Sequence, residues 1–294
     1  MCGLTGIWRY GDAVTQDDMR DLGAMTEAIA HRGPDGEGSW NGGVVALGHR
    51  RLSILDRSSH AAQPMHTADG TGVLAYNGEV YNFREMRGEL ERAGVVCEST
   101  GDTEVVLQAL HVWGPEAAIP RFDGMFALAY YDARSRTLWL ARDRLGIKPL
   151  SLSRRNGRLL FASEDKALLA AADARAEIDT RILMLRFLHL KNANDTSLIA
   201  GVERLKPGTM LRLEGAKADE IVYWDPLGAF DAQRLAADRG GEREKLDALR
   251  GLFEDSVRRH LVADTPLATC LSGGVDSGLI TAVAARERGG IDSY

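Results

Sequence analysis

The sequence predicts an α+β fold for most of the chain, followed by the opening of an α/β unit. Three observations predict it. Short apolar runs at 125–131, 137–141 and 158–162 are separated only by turn signals, so they pair as antiparallel hairpins rather than as βαβ crossovers. Helical periodicity lies between such runs: Met19, Leu22, Met25 and Ile29 fall on one face of 15–30. Near the end, the apolar run 266–271 leads through a Gly-rich loop into a helix, a strand–loop–helix unit of a different kind.

In chain order, residues 3–9 read as a strand and 15–30 as a helix, which His31-Arg32-Gly33-Pro34-Asp35-Gly36 breaks. Short apolar runs at 44–47 and 72–76 read as strands. Helices follow at 82–93, with Asn82 as N-cap, and at 103–113. After the three hairpin strands comes a short helix at 181–190. Arg204-Leu205-Lys206-Pro207-Gly208 then turns the chain into a strand at 209–213. Residues 229–243, rich in Ala, Asp, Arg and Gly, read as a linker. A helix at 242–261 carries Leu246, Leu249, Phe253, Val257 and Leu261 on one face, and 266–271 reads as a buried strand. The domain organisation expected is 2–172, a connecting segment at 173–241, and the start of a second domain at 242–294.

Composition narrows the function classes. The 294 residues are 45% hydrophobic and 27% charged, with a net charge of -6. An acidic balance without a basic stripe argues against nucleic acid or an anionic membrane surface as main partner. No long apolar stretch reads as a membrane span, and the first residues lack the features of a signal peptide. The three cysteines, Cys2, Cys97 and Cys270, are too few and too widely spaced for a disulfide framework or a zinc site, which points to a reducing cytoplasm. Cys97 and Cys270 sit in apolar runs and read as buried packing residues.

Cys2 is different. Once Met1 is trimmed, one residue carries a thiol and a free α-amine. Their ordinary pKa values, about 8.5 and about 7.7–8.0, are close enough for the amine to accept the thiol proton. That is an N-terminal nucleophile suited to acyl transfer through a thioester.

Cys2-Gly3-Leu4-Thr5-Gly6, His31-Arg32-Gly33-Pro34-Asp35, Arg51-Leu52-Ser53-Ile54-Leu55-Asp56, Asn77-Gly78-Glu79-Val80-Tyr81-Asn82 and Gly101-Asp102-Thr103-Glu104 resemble, in order, the class II glutamine amidotransferase domain of asparagine synthetases. The run Arg142-Asp143-Arg144-Leu145-Gly146-Ile147-Lys148-Pro149-Leu150 and the run Ala162-Ser163-Glu164-Asp165-Lys166-Ala167-Leu168 continue the resemblance. It implies an N-terminal-nucleophile hydrolase αββα sandwich. It also implies Cys2 as nucleophile, with the Asn77 carboxamide and the Gly78 N–H as oxyanion donors. The glutamine pocket would be formed by Arg51 on the α-carboxylate, Asp102 helped by Glu79 on the α-ammonium, and Leu52, Ser53, Ile54 and Leu55 as lining. Read without the resemblance, Asn77-Gly78 is also a turn dipeptide, Arg51 a surface charge and Asp102 a helix cap.

Ser272-Gly273-Gly274-Val275-Asp276-Ser277 presents glycines and a helix N-terminus, an anion cradle without the lysine of a Walker A loop. The loop resembles the pyrophosphate loop of ATP pyrophosphatases. The resemblance implies ATP held by Leu271, Ser272, Gly273, Gly274, Asp276 and Ser277, and Mg²⁺ positioned by Asp276. The expected activity is that of an ATP-dependent carbon–nitrogen ligase, acting on glutamine, ATP and aspartate or another carboxylate, in a homodimer. A non-catalytic module is the remaining alternative. In the resembled family the second domain runs on for more than a hundred further residues. The chain by itself is therefore expected to retain the glutaminase half, with residues after about 240 poorly anchored.

Overall fold

The computed structural model describes residues 1–188, 196–228, 230–231 and 240–294, which divide into two compact units, Met1–Asp225 and Pro226–Tyr294. The linker reading at 229–243 and the end of the helix reading at 181–190 fall largely or partly outside the described residues.

Strand β1, Gly3–Arg9, is buried on both faces along almost its whole length, and the first unit is built outward from it. It pairs antiparallel with β3, Val45–Arg51, and with β9, Arg158–Ala162. The sheet is completed by β2 (Gly36–Asn41), β8 (Ser151–Arg155) and β10 (Glu203–Arg204), in the order β10-β8-β9-β1-β3-β2. A second antiparallel sheet runs β12-β11-β7-β6-β5-β4. Its strands are β4 (Met65–His66), β5 (Gly72–Val80), β6 (Gly124–Asp132), β7 (Thr137–Arg142), β11 (Thr209–Glu214) and β12 (Lys217–Val222).

Strand alternation separates two cores. Leu4, Trp8, Val45 and Leu47 face Val73, Ala75, Ala129, Leu138 and Leu140 between the sheets. Ile7, Ala46 and Leu160 point the other way, onto Leu22 and Met25 of α1 (Gln16–Ala28), its C-cap Ile29, and Leu168 of α5 (Asp165–Leu169). On the far side, α3 (Asp102–Trp113) covers the second sheet and α2 (Phe83–Arg92) packs on α3, with α4 (Pro115–Ala118) following. The result is the αββα layering expected. A short α6, Thr180–Phe187, follows α5.

Helix α1 starts at a capping box. Thr15 Oγ1 accepts from the Asp18 N–H at 3.1 Å, and Asp18 Oδ2 accepts from the Thr15 N–H at 2.8 Å. Asp18 also receives Arg9 and Arg158, and Arg158 reaches Asp21, so one buried ion cluster ties α1 to β1 and β9. Burial opposes ionisation of Asp18, but the Arg9, Thr15 and Arg158 donors outweigh it and hold the carboxyl at about 2.

Several expectations are corrected. Asn82 stands at the N-cap of α2, but its carboxamide bonds Arg121 O and the Asp123 N–H instead of the helix, tying α2 to the start of β6. The segment after residue 173 is not only a connection: β10, β11 and β12 lie in the two sheets of the first unit, and Asp173 pairs with Arg155 and Arg158. Cys97 is only half-buried and Cys270 is exposed.

The second unit comprises α7 (Glu242–His260), β13 (Ala268–Thr269), α8 (Val275–Arg288) and β14 (Asp292–Ser293), with β13 and β14 parallel. The strand expected at 266–271 is thus two residues long and largely exposed. Only the later half of the α7 apolar face is covered: Phe253, Val257 and Leu261 pack with Val283 and Ala284, while Leu246 and Leu249 are exposed.

Candidate active site

The register of β1 on β3 sets the nucleophile. Gly3 lies opposite Arg50, so Cys2 emerges beside Arg51 and Leu52. The Leu52 N–H donates to Cys2 Sγ at 3.3 Å, and Arg32 Nε donates to the Cys2 carbonyl at 2.8 Å. Arg32 is held in turn by Glu164, at 2.7 Å. The sulfur and the backbone of Cys2 are therefore fixed from two elements far apart in sequence.

Cys2 opens into a cavity of about 520 Å³, mouth included, walled by both sheets and α3. Arg51, Leu52, Ile54, Leu55, Asn77, Gly78, Glu79 and Asp102 line it with Cys2. Ser53 is not in the wall; its N–H donates to Asp35 at 2.8 Å, away from the cavity. Sequence reasoning did not single out Gln63, Tyr76, Thr103 or Lys148, which also line it. Thr103 and Lys148 belong to motifs of the resemblance but had no role of their own there. Gln63 and Tyr76 carried no local signal.

Asn77-Gly78 is not a turn. Both residues lie within β5, paired with Ala127 and Phe126 of β6. Asn77 is buried, and its Nδ2 has no hydrogen-bond acceptor among the described residues. An orphaned donor in a wall shared with a thiol is what a developing oxyanion requires. Gly78 is required by close approach: a Cβ there would sit 2.5 Å from Met125 O and 2.7 Å from Phe126 Cβ.

Asp102 is the first residue of α3, buried, and its Oδ2 accepts from the Tyr76 hydroxyl at 2.8 Å and the Val80 N–H at 2.9 Å. Burial raises its pKa, partly offset by those donors. Its carboxyl thus bridges α3 to β5 while facing the cavity. The Arg51 guanidinium donates to the carbonyls of Ser58, at 2.9 Å, and of Asp56. Two of its donors therefore shape the 52–58 loop, and the guanidinium still presents charge to the cavity.

Burial pushes the Cys2 thiol up; the Leu52 N–H, the terminal ammonium, Arg51 and Lys148 oppose this. Burial also lowers the terminal amine, here that of Met1.

The second candidate site is local. Gly273 has φ +81°, and Gly274 caps α8 with no side-chain hydrogen bond, leaving the first N–H groups of the helix to face outward. Ser272 and Ser277 hydroxyls meet at 3.0 Å, and Ser277 donates to Gly274 O at 3.1 Å. Leu271, Ser272, Gly273, Gly274 and Asp276 are exposed. Among the described residues no cluster of three metal-ligating side chains exists, so Asp276 offers one carboxylate. This suits a magnesium ion held mainly by phosphate oxygens better than a cage of protein ligands. Among the described residues no helix is long and apolar enough to cross a membrane.

Residues 1–224 match the family described as glutamine amidotransferase domain, and residues 248–294 match asparagine synthase. Asparagine synthetase [glutamine-hydrolyzing] 3 of Bacillus subtilis is 35% identical over 97% of this chain and 45% of its own length. A putative asparagine synthetase of Mycobacterium bovis is 37% identical over 98% of this chain and 46% of its own. The chain thus spans about half the length of the curated relatives it matches. The glutamine phosphoribosylpyrophosphate amidotransferase from B. subtilis superposes with a TM-score of 0.57 at 16% identity, covering 100% of this chain and 65% of that one, which is a likeness of fold. With an αββα unit, a cysteine at the start of its interior strand β1 and a family match across 1–224, the chain belongs to the glutamine amidotransferase domain family.

Proposed function

We propose that the first unit hydrolyses glutamine, with Cys2 as nucleophile after removal of Met1. The thiol proton passes to the α-amine, and the sulfur then attacks the side-chain carboxamide carbon. The oxyanion forms against Asn77 Nδ2 and the Gly78 N–H. Collapse breaks the C–N bond, ammonia leaves with the proton, and water hydrolyses the thioester to glutamate. Arg51 takes the α-carboxylate, Asp102 and Glu79 take the α-ammonium, and Leu52, Ile54 and Leu55 flank the methylenes. Ser53 acts through the loop it anchors. The single observation that carries this reading is the orphaned Asn77 Nδ2 in the cavity wall that also holds Cys2.

We further infer that the whole protein is a glutamine-hydrolysing asparagine synthetase, an ATP-dependent ligase of the cytoplasm working as a homodimer. The division would be a glutaminase domain that includes β10, β11 and β12 and ends near residue 225, and a synthetase domain opening at 242–294. The names of its relatives support aspartate as the acceptor that ammonia amidates. Leu271, Ser272, Gly273, Gly274, Asp276 and Ser277 would hold ATP, with Asp276 reaching Mg²⁺, and the ATP would supply the activated carboxylate.

Glutamate release from glutamine tests the first step. Wild type is expected to be active, and Cys2→Ala to fall to background, a loss of at least about 10³-fold. Steady release by the alanine variant would refute the assignment. Protein in which intact mass shows Met1 retained is expected to be silent.

A further inference from the structure

The run Arg142-Asp143-Arg144-Leu145-Gly146-Ile147-Lys148-Pro149-Leu150 has no part in the glutaminase reading so far, yet it is among the most tightly bound segments of the first unit. Asp143 is fully buried, and its two oxygens accept from the N–H groups of Phe126, Leu145, Ile147 and Lys148, at 2.8–3.1 Å. Arg142 binds the same loop from the other sign, donating to the carbonyls of Lys148, Gly146 and Leu205 at 2.6–2.8 Å. A backbone held this way has one position for the Lys148 stem.

The Lys148 side chain lines the cavity with Cys2 and is 5% exposed. Among the described residues its ammonium makes one hydrogen bond, to Met1 Sδ at 3.4 Å, one residue from the nucleophile. A thioether is a poor acceptor for a buried ammonium. Trimming of Met1 removes even that contact. A buried cation that lacks a strong acceptor stabilises whatever anion forms beside it.

The other charged groups around Cys2 are accounted for by their own contacts. Arg32 holds the Cys2 carbonyl and Glu164, and Arg51 holds the carbonyls of Asp56 and Ser58. Asp102 accepts from Tyr76 and Val80, Asp35 from the Ser53 N–H, and Asp143 from its four amides. Glu79 and the terminal amine face the same space, and Glu79 helps keep the lysine protonated against the effect of burial.

We infer that Lys148 is a positioning residue of the glutaminase site, its ammonium stabilising the Cys2 sulfur as an anion before attack. The inference rests on Cys2 being the nucleophile of the Proposed function. Lys148 keeps its proton throughout, and the thiol proton still goes to the α-amine.

Iodoacetamide alkylation of Cys2 against pH, followed by mass spectrometry of the N-terminal peptide, tests this on the full chain with Met1 removed. The midpoint for Lys148→Met is expected to lie about half to one pH unit above wild type, so that alkylation near pH 7 slows about three- to tenfold. Lys148→Arg restores the wild-type midpoint. Lys148→Gln carries the comparison if the methionine variant is unfolded by circular dichroism. Superimposed profiles for wild type and a folded, uncharged variant overturn the inference. Glutamate release is measured in parallel: an inactive wild type defeats the glutaminase reading, while the alkylation profile still decides for or against Lys148.

Discussion

The two units make opposite use of similar sequence patterns. In the first, apolar residues at strand and helix spacing build two buried cores, and a site is assembled from Cys2, Arg51, Asn77 and Asp102, which lie far apart in the chain. In the second, the Ser272–Ser277 loop forms from consecutive residues, while Leu246 and Leu249 on α7 and Leu279 on α8 stay exposed. An anion cradle at a helix N-terminus needs only its own backbone. The glutaminase site needs both sheets, since Cys2 precedes β1 of one and Asn77 and Gly78 lie in β5 of the other. The presence of a motif therefore says less about a completed site in the second unit than in the first.

The comparison can be broken by stability measurements. Leu47→Ala, between the sheets, is expected to cost about 2–5 kcal/mol in denaturant unfolding, whereas Leu249→Ala on α7 should cost less than about 0.5 kcal/mol. Equal costs would mean that the α7 face is covered in solution. Asn77→Ala sharpens the same contrast at the level of chemistry. It should lower kcat for glutamine by about 10²–10³-fold with the fold intact, while Ser272→Ala leaves glutamine hydrolysis unchanged. A loss of activity in the serine variant would show that the two units do not act separately.

A smaller effect concerns the ion cluster under β1. The folded Asp18 carboxyl, at about 2, lies below its ordinary value, so its contribution is fully present above about pH 4 and is lost as pH falls toward 2. Asp18→Asn should therefore remove about 1–2 kcal/mol at pH 7 and flatten the acid limb of stability. An unchanged acid limb would show that Arg9 and Arg158 act on packing alone.

The parts of the fold legible in the sequence were those whose local pattern agrees with their burial. β1, β6, β7 and β9 are apolar on both faces, and α1 and α3 carry a clear stripe. β2 and β12 escaped because they are edge strands of polar or small residues, Gly36–Asn41 and Lys217–Val222, which no apolar run marks. β8 escaped because Arg154 and Arg155 interrupt it. In the cavity, Cys2, Asn77, Gly78 and Asp102 came from short motifs. Tyr76 and Gln63 did not, since their roles exist only through contacts: the Tyr76 hydroxyl on Asp102, and Gln63 Oε1 accepting from the Tyr76 N–H at 2.6 Å. The error at Asn82 has the same origin. Its cap position was visible, but a better pair of partners arrives from 121–123.

Gly78 has no functional group, yet the steric gauge of the ladder between β5 and β6 runs through it. Any methyl group there must wedge the two strands apart, and the neighbouring carboxamide would travel with the displaced backbone. The site is thus most fragile at a residue that offers it no side chain, and shortening a neighbouring side chain would not repair such a lesion, because Met125 O and Phe126 Cα belong to the backbone of β6.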